Sequence, residues 1–568
     1  MYKSIFRVPV LLLTLSTLAV SLSAQSDLKG LLSEISKQLT TVNSKKYTFD
    51  QRWEFDAAQP NQIRFTLVQS DDKGRSEEEE LAFNLADIDD NTIRYQPDKD
   101  LILVEMKIKG NQRFVKKWTD GELQNYTNEI TLLATDIENA RLLQQQLKEA
   151  VALSREGIKD RLQLNTFEQM VAWLEKNVKG GQIEDQRFDY VLKQDPQLDT
   201  RLQLTLDESD SKNSKQVLYG FNLGDFNTNS VRMMIKGKVP YVELRTDGRN
   251  KYVSVVENGV IDDYTGDFEI YTDEVEKARD LETVLRLLIP LAKDKMKAQL
   301  PSFGSGTEAM SFLSDAVGNV AVGSDNYQQS MSNACKTTVQ INKSDEKGNN
   351  EDYIYELNLG DLNSGRTEIS VSGETVGVSL ETVGKERYIQ VTKNGEPQNY
   401  SSDLVIITEG IEQARFLAEA FKPAIEQCKT QLGSEAPSDP KAALAYIQQQ
   451  LVTLDDGKGN SLDQSLTPAD GDPCKLEFKQ VVNSSKGSQD RLFEVVLSDL
   501  DANSLNLKVS GKDIFVQVNT KQREKIIKAY ENGEIEPYAS ELSWQFSKLE
   551  PARNSMKALE NMIKACAN

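Results

Sequence analysis

A ten-residue segment recurs four times along the chain of 568 residues, and this repeat constrains the fold more than any other feature. The four segments are NLADIDDNTI, NLGDFNTNSV, NLGDLNSGRT and VLSDLDANSL. Each carries an aspartate at its fourth position, and the aspartates are spaced by 138, 136 and 138 residues: Asp87, Asp225, Asp361 and Asp499. A constant period this long indicates duplication of a whole structural unit.

Three further series of residues keep the same period. A basic residue precedes an apolar stretch in each copy, at Arg113, Lys251, Arg387 and Lys525. A glycine and, five residues later, a tyrosine follow it, the tyrosines being Tyr126, Tyr264, Tyr400 and Tyr538. An Ala-Arg pair comes last, with its arginine at Arg141, Arg279, Arg415 and Arg553. So many positions in register exclude a chance match.

The period predicts separate domains rather than turns of a solenoid. It is far longer than the roughly 20 to 50 residues of solenoid repeats, so we expect each copy to have its own core. The predicted domains are 25–156, 157–300, 301–434 and 435–568. Breaker-rich stretches at 301–306 and 436–440 support the last two boundaries.

Each copy combines helices with strands. A segment such as TFEQMVAWLEKNV at 166–178 has apolar residues at helical spacing and predicts a short opening helix. About seven antiparallel strands follow, by period-two alternation. Asp-Gly or Asn-Gly predicts a tight hairpin between the last two strands, at Asp120-Gly121, Asn258-Gly259, Asn394-Gly395 and Asn532-Gly533. A long amphipathic helix closes each copy, and we expect a capping box at its start, for example Thr135 with Glu138.

The predicted fold class is therefore α+β: four tandem domains, each with a short N-terminal helix, an antiparallel meander or partly open barrel, and a C-terminal amphipathic helix. This order of elements resembles the pleckstrin-homology-like superfold. Members of that superfold that bind phosphoinositides use a basic loop between the first two strands, whereas the matching segment DESDSKNSK is mixed in charge. The resemblance therefore implies a fold and no ligand. A helix-grip or cystatin-like sheet is the alternative.

The N-terminus has the pattern of a secretory signal. Lys3 and Arg7 precede an apolar run at 8–20, and small residues end at Ala24. We expect cleavage before Gln25 and export to the periplasm or the cell exterior. The run is shorter than the roughly 20 residues that span a bilayer as a helix, so no transmembrane segment is predicted.

The four cysteines lie only in the third and fourth copies. Three pairings are possible in principle. The matched separations, 93 residues from Cys335 to Cys428 and 92 from Cys474 to Cys566, favour those two disulfides. Each would tie the start of the sheet to the end of the closing helix, in keeping with an oxidising compartment.

The chain contains no histidine, and its net charge is −21. Without imidazole there is no His-assisted nucleophile and no His-ligated metal. The negative field makes nucleic acid a poor partner. We therefore predict no catalytic residue, no cofactor and no metal ligand.

Two weak candidate sites remain. Asp87-x-Asp89-x-Asn91 and its counterparts resemble the start of a calcium loop, but the glycine and glutamate of an EF-hand are missing, so a turn between strands is favoured. The repeated basic residue and the tyrosine series could face each other across two strands. Packing of tyrosine against a basic stem is the commoner outcome.

The sequence supports two hypotheses of function. The first is an exported, non-enzymatic binding or scaffolding protein whose related domains contact an unidentified protein or glycan. The second is a carboxylate-dependent hydrolase that acts on a polysaccharide. The second predicts a concave pocket with two acids and aromatic platforms in one copy.

Overall fold

The computed structural model describes residues 27–158, 162–183, 185–257, 259–455, 458–485 and 487–567. One arrangement of helices and antiparallel strands recurs four times, which gives a mixed α+β protein of tandem repeats. The chain divides into two compact units between Gln299 and Leu300, and each unit holds two copies. The predicted signal sequence, 1–24, lies outside the described residues. The boundaries near 156 and 434 stay predictions.

The first unit contains copies one and two. Copy one comprises α1 (27–38), β1 (Val42–Asn43), β2 (Tyr47–Phe55), β3 (Gln62–Asp71), β4 (Ser76–Asn84), β5 (Ile88–Asp98), β6 (Leu101–Ile108), β7 (Lys116–Thr119), β8 (Glu122–Leu123), β9 (Glu129–Ala134) and α2 (Ile137–Ile158). Copy two comprises α3 (Phe167–Asn177), β10 (Gly180–Ile183), β11 (Gln186–Gln194), β12 (Arg201–Ser209), β13 (Ser214–Asn222), β14 (Arg232–Lys236), β15 (Val239–Arg245), β16 (Val253–Glu257), β17 (Val260–Thr265), β18 (Asp267–Tyr271) and α4 (Val275–Gln299).

The second unit contains copies three and four. Copy three comprises α5 (Gly306–Ala316), β19 (Val320–Val322), β20 (Asp325–Met331), β21 (Lys336–Ser344), β22 (Asn350–Asn358), β23 (Glu368–Ser372), β24 (Thr375–Glu381), β25 (Gln390–Lys393), β26 (Glu396–Pro397), β27 (Asp403–Thr408) and α6 (Ile411–Lys429). Copy four comprises α7 (Pro440–Gln450), β28 (Leu454–Asp455), β29 (Ser461–Pro468), β30 (Lys475–Ser484), β31 (Gly487–Val496), β32 (Asn506–Ser510), β33 (Asp513–Asn519), β34 (Ile527–Glu531), β35 (Glu534–Ala539), β36 (Glu541–Phe546) and α8 (Leu549–Cys566).

Each copy has two antiparallel sheets rather than one meander. In copy one the strand orders are β1-β2-β3-β4-β7-β8 and β5-β6-β9, and the other copies repeat them. The chain leaves the six-stranded sheet after its fourth strand and returns to it before adding the last strand to the three-stranded sheet. Within the described residues each copy has nine strands, not about seven. In copy two the missed strands are β10 and β17, which lack a clear alternation of apolar residues.

The predicted tight turn is present, but it joins other strands than expected. Asp120 and Gly121 have φ angles of 50° and 81°, and Asn394 and Gly395 have 51° and 80°. Asp-Gly and Asn-Gly predict tight hairpin turns because such turns require positive φ at both central residues. The prediction placed the turn between the last two strands of each copy. It joins the seventh and eighth strands instead, because a ninth strand follows and pairs in the three-stranded sheet. Asn258 lies outside the described residues.

A glutamine side chain fastens the two sheets to one another in copies one, three and four. In copy three Gln329 donates to the carbonyl oxygen of Ile407 at 2.9 Å and accepts from its backbone N–H at 2.9 Å. Gln51 and Gln464 make the same pair of bonds to Leu133 and Gln545. Such a two-way bond satisfies backbone groups of the last strand away from water.

The helices pack on one another and on the three-stranded sheet. Phe167, Met170, Val171 and Leu174 are buried along one face of α3, which confirms the predicted apolar spacing. The opening helix contacts the closing helix of its copy, as α5 contacts α6, and α6 covers β23, β24 and β27. No helix in the described part of the chain combines the length and the apolar character that crossing a membrane requires.

The capping boxes predicted for the closing helices are wrong. The N-cap residues of α6 and α8 are Gly410 and Lys548, and neither forms a side-chain cap. The helices begin one residue later than expected, so Glu412 and Glu550 occupy the second helical position instead of the third. Their carboxylates are thereby left for other partners.

Both disulfides of the second unit have the pairing that the matched separations predict. Cys335 is bonded to Cys428 and Cys474 to Cys566. Each bond joins the segment before the third strand of its copy to the end of the closing helix. The stretch of chain that enters the sheet is therefore held against α6 or α8.

Candidate functional site

The repeated aspartate is positioned by a single 3-10 turn that follows the fourth strand of each copy. In copy one the side chain of Asn84 accepts a hydrogen bond from the backbone N–H of Ala86 at 3.0 Å, and this bond starts the turn. Asn222 and Asn358 do the same in copies two and three. The turn is so short that its third residue, the aspartate, has a fixed place relative to the end of the strand.

In the first unit this aspartate binds the next copy. Arg279, in the first turns of α4, donates to Asp87 Oδ1 at 2.5 Å and also to Oδ2. Asn84 donates to Glu276 at 3.1 Å, and Glu276 is 3.3 Å from the Arg279 guanidinium. Two residues from the turn of copy one and two from the helix of copy two thus form one network of hydrogen bonds and ion pairs. A guanidinium that binds both oxygens of a carboxylate fixes orientation as well as distance.

The second unit repeats the network. Arg553 of α8 donates to Asp361 of copy three at 2.5 Å. Asn358 donates to Glu550 at 3.2 Å, and Glu550 lies 3.5 Å from Arg553. In both units the arginine follows the aspartate by 192 residues. The structure thus brings together two of the repeated series, the anchor aspartates and the Ala-Arg arginines, across neighbouring copies.

The ion pairs are buried. Only 10% of the Arg553 side chain and 4% of the Asp361 side chain are exposed. Burial raises the pKa of Asp361 to about 6, although the attraction of Arg553 opposes the rise. Burial likewise raises the pKa of Asp87, against the attraction of Arg279. Each carboxylate is therefore shielded from water. The positive charge of the arginine in the next copy compensates for the hydration that the carboxylate loses.

Aromatic residues cover the network. The hydroxyl of Tyr388 donates to the backbone carbonyl of Leu507 in copy four at 2.8 Å, and the Arg553 guanidinium lies 5.5 Å from the Tyr388 ring centroid. In the first unit Phe114 holds the position of Tyr388 and packs against the cores of copies one and two. These contacts exclude water and strengthen the ion pairs beneath them.

The tyrosine series differs from copy to copy in exposure. Tyr126, Tyr264 and Tyr400 are buried, with exposed fractions of 3%, 5% and 8%, whereas Tyr538 is 49% exposed. The backbone N–H of Tyr400 donates to Gly511 of copy four at 3.1 Å. The basic residues of the other series, Arg113, Lys251, Arg387 and Lys525, are all exposed. Lys251 lies 3.3 Å from Asp263.

The segments that resemble calcium loops form local turns. Asp89 accepts from the backbone N–H of Asn91 at 3.1 Å, and Asn227 accepts from that of Asn229 at 3.0 Å. Asp501 bonds Asn503 in the same way at 2.9 Å. These are the turns favoured from the sequence. Within the described ranges no three Asp, Glu, Cys or His side chains are grouped as metal ligands would be.

A cavity of about 480 Å³ lies beside the ion pair of the first unit. Its lining includes the acidic residues Glu54, Asp56 and Glu274 and the aromatic residues Trp118 and Tyr126. Glu276 also lines it, but its carboxylate is held by Asn84 and Arg279. The cavity therefore contains several carboxyl groups that are not bound in the network.

Sequence reasoning found the aspartate and arginine series but did not join them. It missed Asn84, Glu276 and their counterparts, whose only signal was recurrence at the same period, in copies one to three for the asparagine and in all four copies for the glutamate. Neither a protein-family model, nor a curated protein, nor a solved structure matches the chain.

Proposed function

We propose that the protein is an exported, non-enzymatic binding or scaffolding protein whose tandem copies present related surfaces to a protein or glycan partner. The observation that carries the proposal is the use of the repeated charged residues. Asp87 with Arg279 and Asp361 with Arg553 hold neighbouring copies together. Members of two of the repeated series therefore serve assembly of the repeat, and we assign contact with a partner to the surfaces in which the copies differ.

Coupled copies suit a binding protein. When two sites are held at a fixed separation, binding at the first raises the effective concentration at the second, so weak contacts add up to a strong one. A buried, bidentate ion pair holds that separation better than a flexible linker. The proposal therefore predicts that binding depends on the network as well as on the contact surface.

Capture from the native cell envelope tests this function. Mature wild-type protein is used as bait beside Arg279→Met and Arg553→Met, in which neighbouring copies are uncoupled, and beside Arg52→Met, whose arginine is 64% exposed. We expect one specific partner with wild type and Arg52→Met, and weaker recovery with the uncoupled variants. Failure to recover any specific partner would contradict the function.

Export is part of the proposal and has its own test. The pattern at 1–24 suits export, and the two disulfides suit an oxidising compartment outside the cytoplasm. Mass spectrometry of the native protein should give an N-terminus at Gln25 and four alkylation-resistant cysteines. An intact N-terminus with free thiols would contradict export.

The cavity of the first unit favours a second candidate, a carboxylate-dependent hydrolase of polysaccharides. Its carboxyl groups and the half-buried Trp118 are groups that such an enzyme needs. Release of reducing ends from a panel of polysaccharides is the assay, with Glu54→Gln and Glu274→Gln as variants and Glu122→Gln as the matched control outside the cavity. Hydrolysis lost in the first two variants alone would establish this function, and no hydrolysis by wild type would exclude it.

A further inference from the structure

The docking face that copy three offers to copy four also exists on copy four, where every lining residue belongs to copy four itself. A cavity of about 360 Å³ opens there, lined by Asp499, Val496, Ile526 and Lys528 among others. In the register of the repeat these residues correspond to Asp87, Asn84, Phe114 and Lys116 of copy one. All four of those line the docking face of copy one or bind copy two across it. The groove on copy four is thus the same surface without its occupant.

Exposure of apolar side chains marks this face as uncovered. Tyr538 is 49% exposed, whereas Tyr126 and Tyr400 are 3% and 8% exposed beneath the next copy. Val496 and Ile526 are 38% and 41% exposed. Val496 and Ile526, two exposed apolar side chains that line one groove, form a feature of the kind that marks an interaction site.

The complementary half of the interface is exposed on copy one. Arg141 and Glu138 of α2 correspond to Arg279 and Glu276 of α4, and their side chains are 58% and 80% exposed. Ile137 is 45% exposed, while its counterpart Leu549 in α8 is 9% exposed. The first turns of α2 therefore present the same chemistry as the first turns of α4 and α8, with exposed side chains.

The remaining members of the two series do not offer such surfaces. Asp225 of copy two is 6% exposed, and the Arg415 side chain of copy three is 13% exposed. Both have polar partners. Arg141 and Asp499 are thus the members of opposite charge that lie on open faces, one in the first copy and one in the last.

We propose that a second copy of this chain occupies the groove of copy four, with its Arg141 bound to Asp499 and its Ile137 packed against Val496 and Ile526. The two faces are different surfaces of one chain, so the contact is heterologous and extends head to tail into a ring or a filament. The geometry is the one that the chain already uses twice, at Asp87 with Arg279 and at Asp361 with Arg553.

The association between chains is weaker than the contacts within a chain. The internal interfaces form between copies that the chain keeps close together, whereas two chains must lose translational freedom to meet. Val496 also replaces the asparagine that binds the helix glutamate in copies one and three, so Glu138 of the second chain has no amide donor there. Dissociation constants in the micromolar to millimolar range are therefore expected.

Sedimentation velocity of the mature, oxidised protein over a wide concentration range tests the proposal. Wild type should form oligomers of increasing size, and Arg141→Ala or Asp499→Ala should each weaken association by about tenfold or more. Arg52→Ala, at an exposed arginine of the same copy, should behave as wild type. An equimolar mixture of Arg141→Ala and Asp499→Ala should form dimers that grow no further, because each dimer keeps only mutated faces at its ends.

The mixture also separates a true interface from a folding defect, since a misfolded variant would not complement its partner. A wild type that stays monomeric throughout the range would overturn the proposal. Association that both variants leave unchanged, or that their mixture fails to restore as dimers, would overturn it as well. The inference is independent of the proposed binding function: a protein that captures its envelope partner as a monomer would refute self-association alone.

Discussion

Asp361 and Arg553 form a buried ion pair at 2.5 Å although 192 residues separate them in the chain. The pair joins the third copy to the fourth, and Asp87 and Arg279 join the first to the second in the same way. A duplicated domain has preserved not only its own fold but also the contact that it makes with the next copy. Because the contact is buried, each charge stabilises the fold only while the other is present, and this coupling can be measured as a free energy of unfolding.

Replacement of Arg553 by methionine should strongly destabilise the second unit. The Asp361 carboxylate would stay buried without its counter-charge, a situation that costs about 3–5 kcal/mol of unfolding free energy. Adding Asp361→Asn should recover much of the loss, so a double-mutant cycle in denaturant should give a large coupling energy. Arg141→Met, at a side chain that is 58% exposed, is the matched control and should change stability by less than about 0.5 kcal/mol. Equal losses at the two arginines would contradict the role of the buried pair.

Alkaline pH should weaken the contact between copies three and four. Burial raises the pKa of Tyr388 and of Tyr400 to about 12, whereas an unfolded tyrosine titrates near about 10. Below about pH 10 both states hold the proton and the stabilisation is complete; above it the unfolded state loses protons first, so stability falls as pH approaches about 12.

A spectroscopic titration of phenolate measures this. Tyr388→Phe and Tyr400→Phe should each remove part of the late-titrating component, and Tyr538→Phe, at an exposed tyrosine, should leave that component intact. If the two buried tyrosines ionise together with the exposed ones, the interface is open in solution.

The sequence located both partners of the ion pair but could not join them. The aspartates and arginines keep one period, so the pattern fits a bond within a copy, as between Asp87 and Arg141, as well as a bond to the next copy. Which of these two bonds forms depends on which side chains the neighbouring copy buries. A short helix has no periodic sequence pattern that would reveal burial by a neighbouring domain. Exposure of Arg141 and Tyr538 at opposite ends of the repeat is likewise visible only in three dimensions.

Elements whose residues have strong local conformational preferences were predictable from the sequence. Elements that depend on tertiary contacts were not. The turns at Asp120, Asn394 and Asn532 have the positive φ angles that these dipeptides predict. β17 was missed because its sequence, VIDDYT, has adjacent apolar and adjacent acidic residues and is defined by pairing with β16. No sequence pattern distinguishes Gln329 from other polar strand residues, yet it binds the backbone of β27. The resemblance to the pleckstrin-homology-like superfold stays a prediction.

Reduction of the disulfides should destabilise the second unit and leave the first unchanged. The bonds close loops of 93 and 92 residues, both in the second unit. Constraint of the unfolded chain by loops of this length contributes roughly 4–5 kcal/mol each in the chain-entropy model. Calorimetry with and without dithiothreitol, with hydrogen exchange to assign each transition to a unit, is the measurement. Cys335→Ser with Cys428→Ser should reproduce half of the effect without reductant, and a loss of stability in the first unit would contradict the assignment.

The glycine of the 3-10 turn should tolerate alanine in one copy and not in another. A Cβ atom at Gly360 would lie 2.8 Å from the carbonyl carbon and oxygen of Cys428. Backbone of α6 can move away only by disturbing the helix, so Gly360→Ala should destabilise the second unit by about 1–3 kcal/mol. At Gly224 the added atom would meet the side chain of Met296 at 2.9 Å.

A thioether side chain adapts to such a neighbour, so Gly224→Ala should have the smaller effect on the free energy of unfolding. Copies one and four already carry a Cβ at this position, at Ala86 and Ser498, which shows that the turn itself accepts one. The difference between the two variants therefore measures how closely α6, held at its end by Cys428, approaches the turn that carries Asp361. Equal destabilisation by both substitutions would contradict that close approach, because a cost that arises in the turn itself would be the same in the two copies.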